Sequence, residues 1–187
     1  FQEGSSYAIH GHNGSGKSTL LQILSGYLSP SKGRIKFIEN DKAIDPNRVY
    51  RSISFCSPYM ELIEELSLKE ALSFHQRFKP LAKNIKSQDI FDLIQLPTSA
   101  QNKAIQFFSS GMKQRLKLAL AFLSESSVLL LDEPTITLDQ SGIKWYRELL
   151  EDYALGKKLV IIASNILSDF EGCKEVLNIL DYKTRRT

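Results

Sequence analysis

The segment Gly11-His12-Asn13-Gly14-Ser15-Gly16-Lys17-Ser18-Thr19 fits the spacing G-x-x-x-x-G-K-[ST], a pattern in which each residue type has a chemical task. The glycines let backbone N–H groups fold around phosphate oxygens, and a helix opening at the end of such a loop turns the positive end of its dipole toward them. Lys17 supplies a positive charge for β- and γ-phosphates, and the Ser18 hydroxyl is a ligand for Mg²⁺. From average residue usage the pattern arises by chance in roughly one per cent or fewer of chains this long.

Two other stretches end an apolar run on polar groups. Val128-Leu-Leu-Leu-Asp132-Glu133 places Asp132 at the C-terminal end of a buried strand, where it holds the hydration shell of Mg²⁺. Glu133 follows and is positioned to orient or deprotonate a water attacking a γ-phosphate. Val160-Ile-Ile-Ala-Ser164-Asn165 closes on a hydroxyl and an amide. Asn165 can donate a hydrogen bond but carries no charge and moves no proton.

These residues need a scaffold. Apolar, often β-branched runs at Tyr7–His10, Ile35–Ile38, Ile53–Cys56, Val128–Leu131, Leu159–Ala163 and Val176–Leu180 predict strands. Leu20, Leu21, Leu24 and Leu28 form one helical stripe, and Met112, Leu116, Ala119, Leu120 and Leu123 form another. Strands alternating with helices predict an α/β fold with a largely parallel sheet covered on both faces. Residues 59–125 interrupt that alternation. Ser67-Leu-Lys-Glu70 is a capping-box pattern opening a helix through about Phe78, and a second helix is predicted from Ser87 to Gln95, stopping before Pro97. With the Met112 helix these form a helical subdomain inserted in the sheet domain.

The bulk numbers agree with one domain spanning residues 1–187. The 24 basic and 21 acidic residues give a net charge of +3, scattered apart from a Lys183, Arg185, Arg186 tail read as solvated, so no direct nucleic-acid contact is expected. The longest apolar run is the six residues Leu118–Leu123, far below the roughly 18 that cross a bilayer. Cys56 and Cys173 have no C-x-x-C or His-rich spacing near them, which fits a reducing, cytosolic setting without a disulfide framework. No signal peptide precedes the fold, and the opening residue is Phe1 rather than Met, so an upstream segment is expected to be missing.

Taken together, the chain resembles the nucleotide-binding subunit of an ABC transporter over nearly its whole length. The resemblance rests on the phosphate loop, on Leu-Asp132-Glu133-Pro134-Thr135 with Leu138-Asp139 behind it, and on Phe108-Ser109-Ser110-Gly111-Met112-Lys113-Gln114-Arg115. That last segment is similar to the family's L-S-G-G-Q signature, with Ser110 and Met112 at two substituted positions. The resemblance implies a P-loop NTPase core that binds ATP and Mg²⁺, with Glu133, Lys17 and Asn165 in catalysis, residues 11–19 on nucleotide, and Ser18 and Asp132 on metal. It also implies a signature turn at Ser109, Ser110 and Gly111 and a D-loop aspartate at Asp139. The implied partners are a second copy or homologous ATPase subunit, arranged head to tail, and transmembrane permease subunits. The implied location is cytoplasmic, peripheral on the inner face of the cell membrane.

Three departures accompany the resemblance. The aromatic residue that stacks on adenine in the family precedes the phosphate loop by more residues than this chain supplies, so it is expected to be absent or truncated away and no adenine contact is assigned. Ser57-Pro58-Tyr59 occupies the place of a glutamine that touches Mg²⁺, and Pro58 has neither a side-chain amide nor an N–H. Glu61, Glu64 and Glu65 just beyond are read as a solvated or partner-facing acidic face. Asn165 stands where the family has a histidine against the γ-phosphate. Weaker hydrolysis is therefore expected, and two alternatives stand beside transport: a soluble ABC-type mechanical ATPase, and a nucleotide-gated clamp that scarcely hydrolyses.

Overall fold

The computed structural model describes residues 1–39, 41–82, 85 and 89–182. The basic tail and the predicted helix start at Ser87 lie outside the described residues. The chain divides into two compact units, one of Phe1–Phe55, Ser126–Glu133 and Ala154–Thr187, the other of Cys56–Glu125 and Pro134–Tyr153.

The first unit is built on a five-stranded sheet. Its strands are β1 (Ser6–His10), β4 (Ile53–Cys56), β5 (Val128–Asp132), β6 (Leu159–Ala163) and β7 (Glu175–Asn178), in the order β4-β5-β6-β1-β7. The pairs β1–β6, β1–β7 and β5–β6 are parallel. Parallel strands need crossover connections that cover both faces, which is why β5 and β6 are apolar at every position before their last residues rather than alternating. Tyr7, Ile9, Leu130, Ile161 and Ala163 bury against Leu21 of helix α1 (Lys17–Leu24). Each large aliphatic side chain so buried contributes about 1.5–3 kcal/mol. The register sets Asp132 and Ile9 both opposite Ala163, so β1, β5 and β6 end together.

Two predicted strands differ. Within Ile35–Ile38 only Ile38 enters a ladder, as the two-residue strand β2 (Ile38–Glu39) paired with β3 (Lys42–Ala43). Its residues are exposed, and apolar alternation makes a strand only as far as a hydrogen-bonding partner runs beside it. At one edge of the five-stranded sheet, β7 stops at Asn178, whose side-chain oxygen accepts the N–H of Leu180 where the 3₁₀ turn Ile179–Tyr182 begins.

The second unit is helical: α2 (Leu68–Phe78), α3 (Asp89–Ile94), α4 (Ser110–Leu123) and α5 (Gln140–Tyr153). The capping box forms with both bonds present, Ser67 accepting the N–H of Glu70 and Glu70 accepting the N–H of Ser67. Chain reversal after α3 falls on Gln95, at φ 54°, just before Pro97, and Ile90 and Ile94 are buried. Helix α5 belongs to no apolar run in the sequence. Its Trp145, Tyr146, Leu149 and Leu150 are buried, with Tyr146 edge-on to Phe122 of α4 and the Trp145 indole N–H donating to Leu93 O at 2.6 Å. Among the described residues, no helix is long and apolar enough to cross a membrane.

Candidate functional site

The shared end of β1, β5 and β6 delivers three loops in the first unit. Gly11 follows β1, and a side chain there would meet Ile179 Cγ2 at 2.7 Å and Ser15 Oγ at 2.8 Å, so the turn closes only with glycine. Gly16 then adopts φ 98°, a left-handed conformation, and hands the chain to α1. No side chain caps α1, and its first turn contains no acidic residue. The first-turn N–H groups of a helix have no intrahelical acceptor, so this end is an open, electropositive set of donors.

Around that end the sequence-predicted residues converge. Lys17 Nζ donates to Gly11 O at 2.8 Å and to His12 O at 3.4 Å, and it lies 3.5 Å from Glu133 Oε1 while being almost fully buried. Ser18 Oγ donates to Asp132 Oδ1 at 3.0 Å. Ser15 Oγ is buried and has no hydrogen-bond partner among the described residues. Glu133 sits at φ 43°, where a non-glycine residue costs about 1–2 kcal/mol, and its N–H donates to Ala163 O at 2.8 Å. Asn165 does not point alone into the site: its amide donates to Asn13 Oδ1 at 3.1 Å, tying the loop after β6 to the phosphate loop. His12 is exposed and its Nδ1 lies 2.7 Å from Asn13 O.

The donor set fits Mg²⁺. Ser18 and Asp132 present hard oxygens already within hydrogen-bond distance of each other. Among the described residues there is no cluster of three or more His, Cys, Asp or Glu that would cage a metal. A small octahedral cation held by one carboxylate and one hydroxyl takes the rest of its ligands from phosphate and water.

Residues 1–136 match the ABC transporter family. The chain belongs to that family. Its sequence is 30% identical over 182 residues to the uncharacterized ABC transporter ATP-binding protein YcbN of Bacillus subtilis, covering 96% of this chain and 58% of that protein. It is 31% identical over 182 residues to the lantibiotic transport ATP-binding protein SrtF of Streptococcus pyogenes, covering 95% of this chain and 76% of that one. The phospholipid-transporting ATPase ABCA7 of Homo sapiens is 32% identical over 163 residues, 86% of this chain and 8% of that much longer protein. A solved ATP-binding subunit of an ABC transporter superposes with a TM-score of 0.80 at 25% identity, covering 95% of this chain and 76% of that chain.

The residues expected from the sequence as signature turn and D-loop lie in the second unit. Ser109 caps α4, its Oγ accepting the N–H of Met112 at 3.2 Å. That bond uses the hydroxyl as acceptor and leaves its proton for donation. Gly111 faces the segment before α5, since a side chain there would come within 3.2 Å of Thr137 O. Asp139 immediately precedes α5 and accepts the N–H of Gly142 at 2.7 Å and the hydroxyl of Ser141 at 2.9 Å. The Gly142 N–H, then the Ser141 hydroxyl, hold its carboxyl below the usual range, with Arg115 nearby adding to the shift. This is an N-cap, a structural task the motif alone did not reveal.

Pro58 lines an open groove together with Met60, Leu62, Lys113, Lys117 and Ile136. The Ser57 hydroxyl is buried and accepts the N–H of Tyr59, within its own turn. Lys117 donates to Ser57 O at 3.3 Å and Pro58 O at 3.2 Å, and burial lowers its pKa. Glu61, Glu64 and Glu65 are exposed, and Glu64 pairs with Lys113. Sequence reasoning missed Lys117, which lies on a helix far along the chain, and Asp169, whose side chain meets Ser164 in the first unit.

Proposed function

We propose that this chain binds ATP with Mg²⁺ at the α1 end of its first unit and hydrolyses it, as one nucleotide-binding domain with residues of the second unit serving as its helical subdomain. The single observation that carries the reading is the meeting of Lys17, Glu133, Ser18 and Asp132 beside an uncapped helix start. Family membership, and relatives named as transport ATP-binding proteins, support the same conclusion.

In this reading the N–H groups of residues 11–19 and Lys17 hold the β- and γ-phosphates. Ser18 and Asp132 would hold Mg²⁺, which would supply positive charge against the phosphate oxygens. Glu133 accepts the proton of the attacking water at one carboxylate oxygen, and Lys17 holds the other oxygen in orientation. Asn165 orients the phosphate loop through Asn13 and supplies no charge.

The transport role belongs to the same reading. A second copy or a homologous ATPase subunit packs head to tail, so that Ser109, Ser110 and Gly111 of one chain complete the site of the other. Transmembrane permease subunits seat in the groove at Pro58 and take up the closing motion, which puts the chain at the cytoplasmic face of the membrane. A second reading, a clamp with little turnover, is favoured by Pro58 and Asn165, which lack the amide and the imidazole usual at those places.

Steady-state turnover decides between them. Wild type hydrolyses ATP slowly, Asn165→His raises the rate by about tenfold or more if charge was lacking, and Glu133→Gln lowers it by about 100-fold with binding retained and a dimer accumulating. Undiminished turnover in Glu133→Gln would remove the assigned role of Glu133. An unchanged rate in Asn165→His would show that Asn165 does not weaken the site.

A further inference from the structure

Strand β6 ends at Ala163, and the next residue, Ser164, is completely buried although it is polar. Its N–H donates to Ile9 O at 3.2 Å, which fixes its backbone to β1. Its hydroxyl oxygen accepts the N–H of Ile166 at 3.0 Å, and stands 2.6 Å from Asp169 Oδ2 and 3.0 Å from Glu133 Oε2. A serine hydroxyl has one proton, so two carboxylates face one donor. The shorter contact is to Asp169, which is itself completely buried on the 3₁₀ turn Leu167–Asp169.

This arrangement fixes Glu133 from both sides. Its Oε1 faces Lys17 at 3.5 Å and its Oε2 faces Ser164, while its strained backbone is tied to Ala163 O. Rotation of the carboxylate about its last bond therefore breaks one contact or the other. The Ile166 N–H donates to the Ser164 oxygen and holds it between the two carboxylates, so that its one proton reaches Glu133 or Asp169 by rotation of the hydroxyl.

We propose that Ser164 is a positioning residue whose hydroxyl, when turned from Asp169 to Glu133, holds the Glu133 carboxylate toward the reacting water. The proposal rests on the hydrolytic reading above. Loss of the hydroxyl then frees the carboxylate to sample other rotations, and a misplacement of about 1 Å is worth on the order of 100-fold in rate.

The test is a double-mutant cycle read by ATP turnover on the full chain, with binding of a fluorescent ATP analogue and thermal unfolding measured for each variant. Ser164→Ala is expected to lower kcat by about 10- to 100-fold while KM and analogue affinity change less than about threefold. Ser164→Thr, which keeps the hydroxyl, recovers most of that loss. In the Glu133→Gln background, Ser164→Ala brings no further loss. If Ser164→Ala does not fold, Ser164→Cys, which keeps the volume and donates only weakly, takes its place in the same cycle.

Turnover in wild type with an equal kcat in Ser164→Ala overturns the positioning role alone. The same fractional loss in the Glu133→Gln background also overturns it, since Ser164 would then act on the fold and not through Glu133. A wild type that binds the analogue but is silent at saturating Mg²⁺ and ATP overturns the hydrolytic reading and this proposal together.

Discussion

The two units treat their helix starts in opposite ways. In the second unit α2 is closed by Ser67 and Glu70, α4 by Ser109 and α5 by Asp139, each using a side chain to satisfy a first-turn N–H. In the first unit α1 opens on Gly16, in a left-handed conformation with no side-chain cap, beside a buried lysine. A capped helix start stabilises the fold by about 1 kcal/mol and has little left to offer an anion. An uncapped one forgoes that stability and keeps its donors for a ligand. The contrast separates helices that hold the protein together from the one proposed to hold the nucleotide. Ser109 lies between the two cases, because its hydroxyl caps α4 as an acceptor and retains a proton to donate.

Lys17→Ala strikes the comparison hardest. It removes the charge at the open helix start, and nucleotide affinity, followed by fluorescence of an ATP analogue, is expected to fall by about 100-fold or more. Gly16→Ala comes next. Space is available, since the added Cβ would meet only Ile179 Cδ1 at 3.9 Å, but φ 98° makes alanine costly by about 1–2 kcal/mol. Both the melting temperature and the affinity should drop, and an unchanged affinity would mean that the loop does not need its left-handed turn.

Ser109→Ala sharpens the contrast from the other side. Loss of the cap costs about 1 kcal/mol, a shift of about 2–4 °C in Tm, while nucleotide affinity of the separate chain is retained and turnover of the paired chains falls. A loss of affinity in the unpaired chain would count against a signature that acts across a dimer.

The smallest effect is in pH. His75 Nε2 meets Ser124 Oγ at 2.8 Å, and because that hydroxyl donates to Leu120 O, the imidazole nitrogen is the donor between them. Burial, with Lys79 adding to it, lowers the His75 pKa from 6.5. The unfolded chain therefore takes up the proton first on acidification. Stability contributed by His75 is present above about pH 6.5 and is lost as pH falls toward the depressed value. Thermal melts of wild type between pH 7.5 and 5 should show a steeper decline than those of His75→Gln, and parallel declines would exclude the residue as the source.

Much of this was legible in sequence where the determinants are local. The capping box needs only Ser67 and Glu70, and the phosphate loop only its glycines, Lys17 and Ser18. Apolar runs located β4 and β6 to the residue, because both are short segments flanked by polar ones. Helix α5 was less visible: its buried residues are interleaved with Lys144, Arg147 and Glu148, so no continuous run marks it, and only the spacing of Trp145, Tyr146, Leu149 and Leu150 gives its face. The strand expected at Ile35–Ile38 depended on a partner whose length the sequence does not state.

The sequence by itself determined the chemistry available: a cradle for phosphate, a lysine, a hydroxyl, two carboxylates and an uncharged amide, each at the end of a strand or the start of a helix. Only tertiary structure decided which of them meet. Parallel pairing of β5 with β6 brought Glu133 to Ser164, 31 positions away, and the first unit's loops brought Asn165 to Asn13, 152 positions away. Such contacts depend on sheet order and register, which are set by burial of the whole core and not by neighbours along the chain. That is why Asn165, legible as an amide beside a phosphate, turned out to bond the phosphate loop, and why Asp169 gained a place beside the site only once the chain was folded.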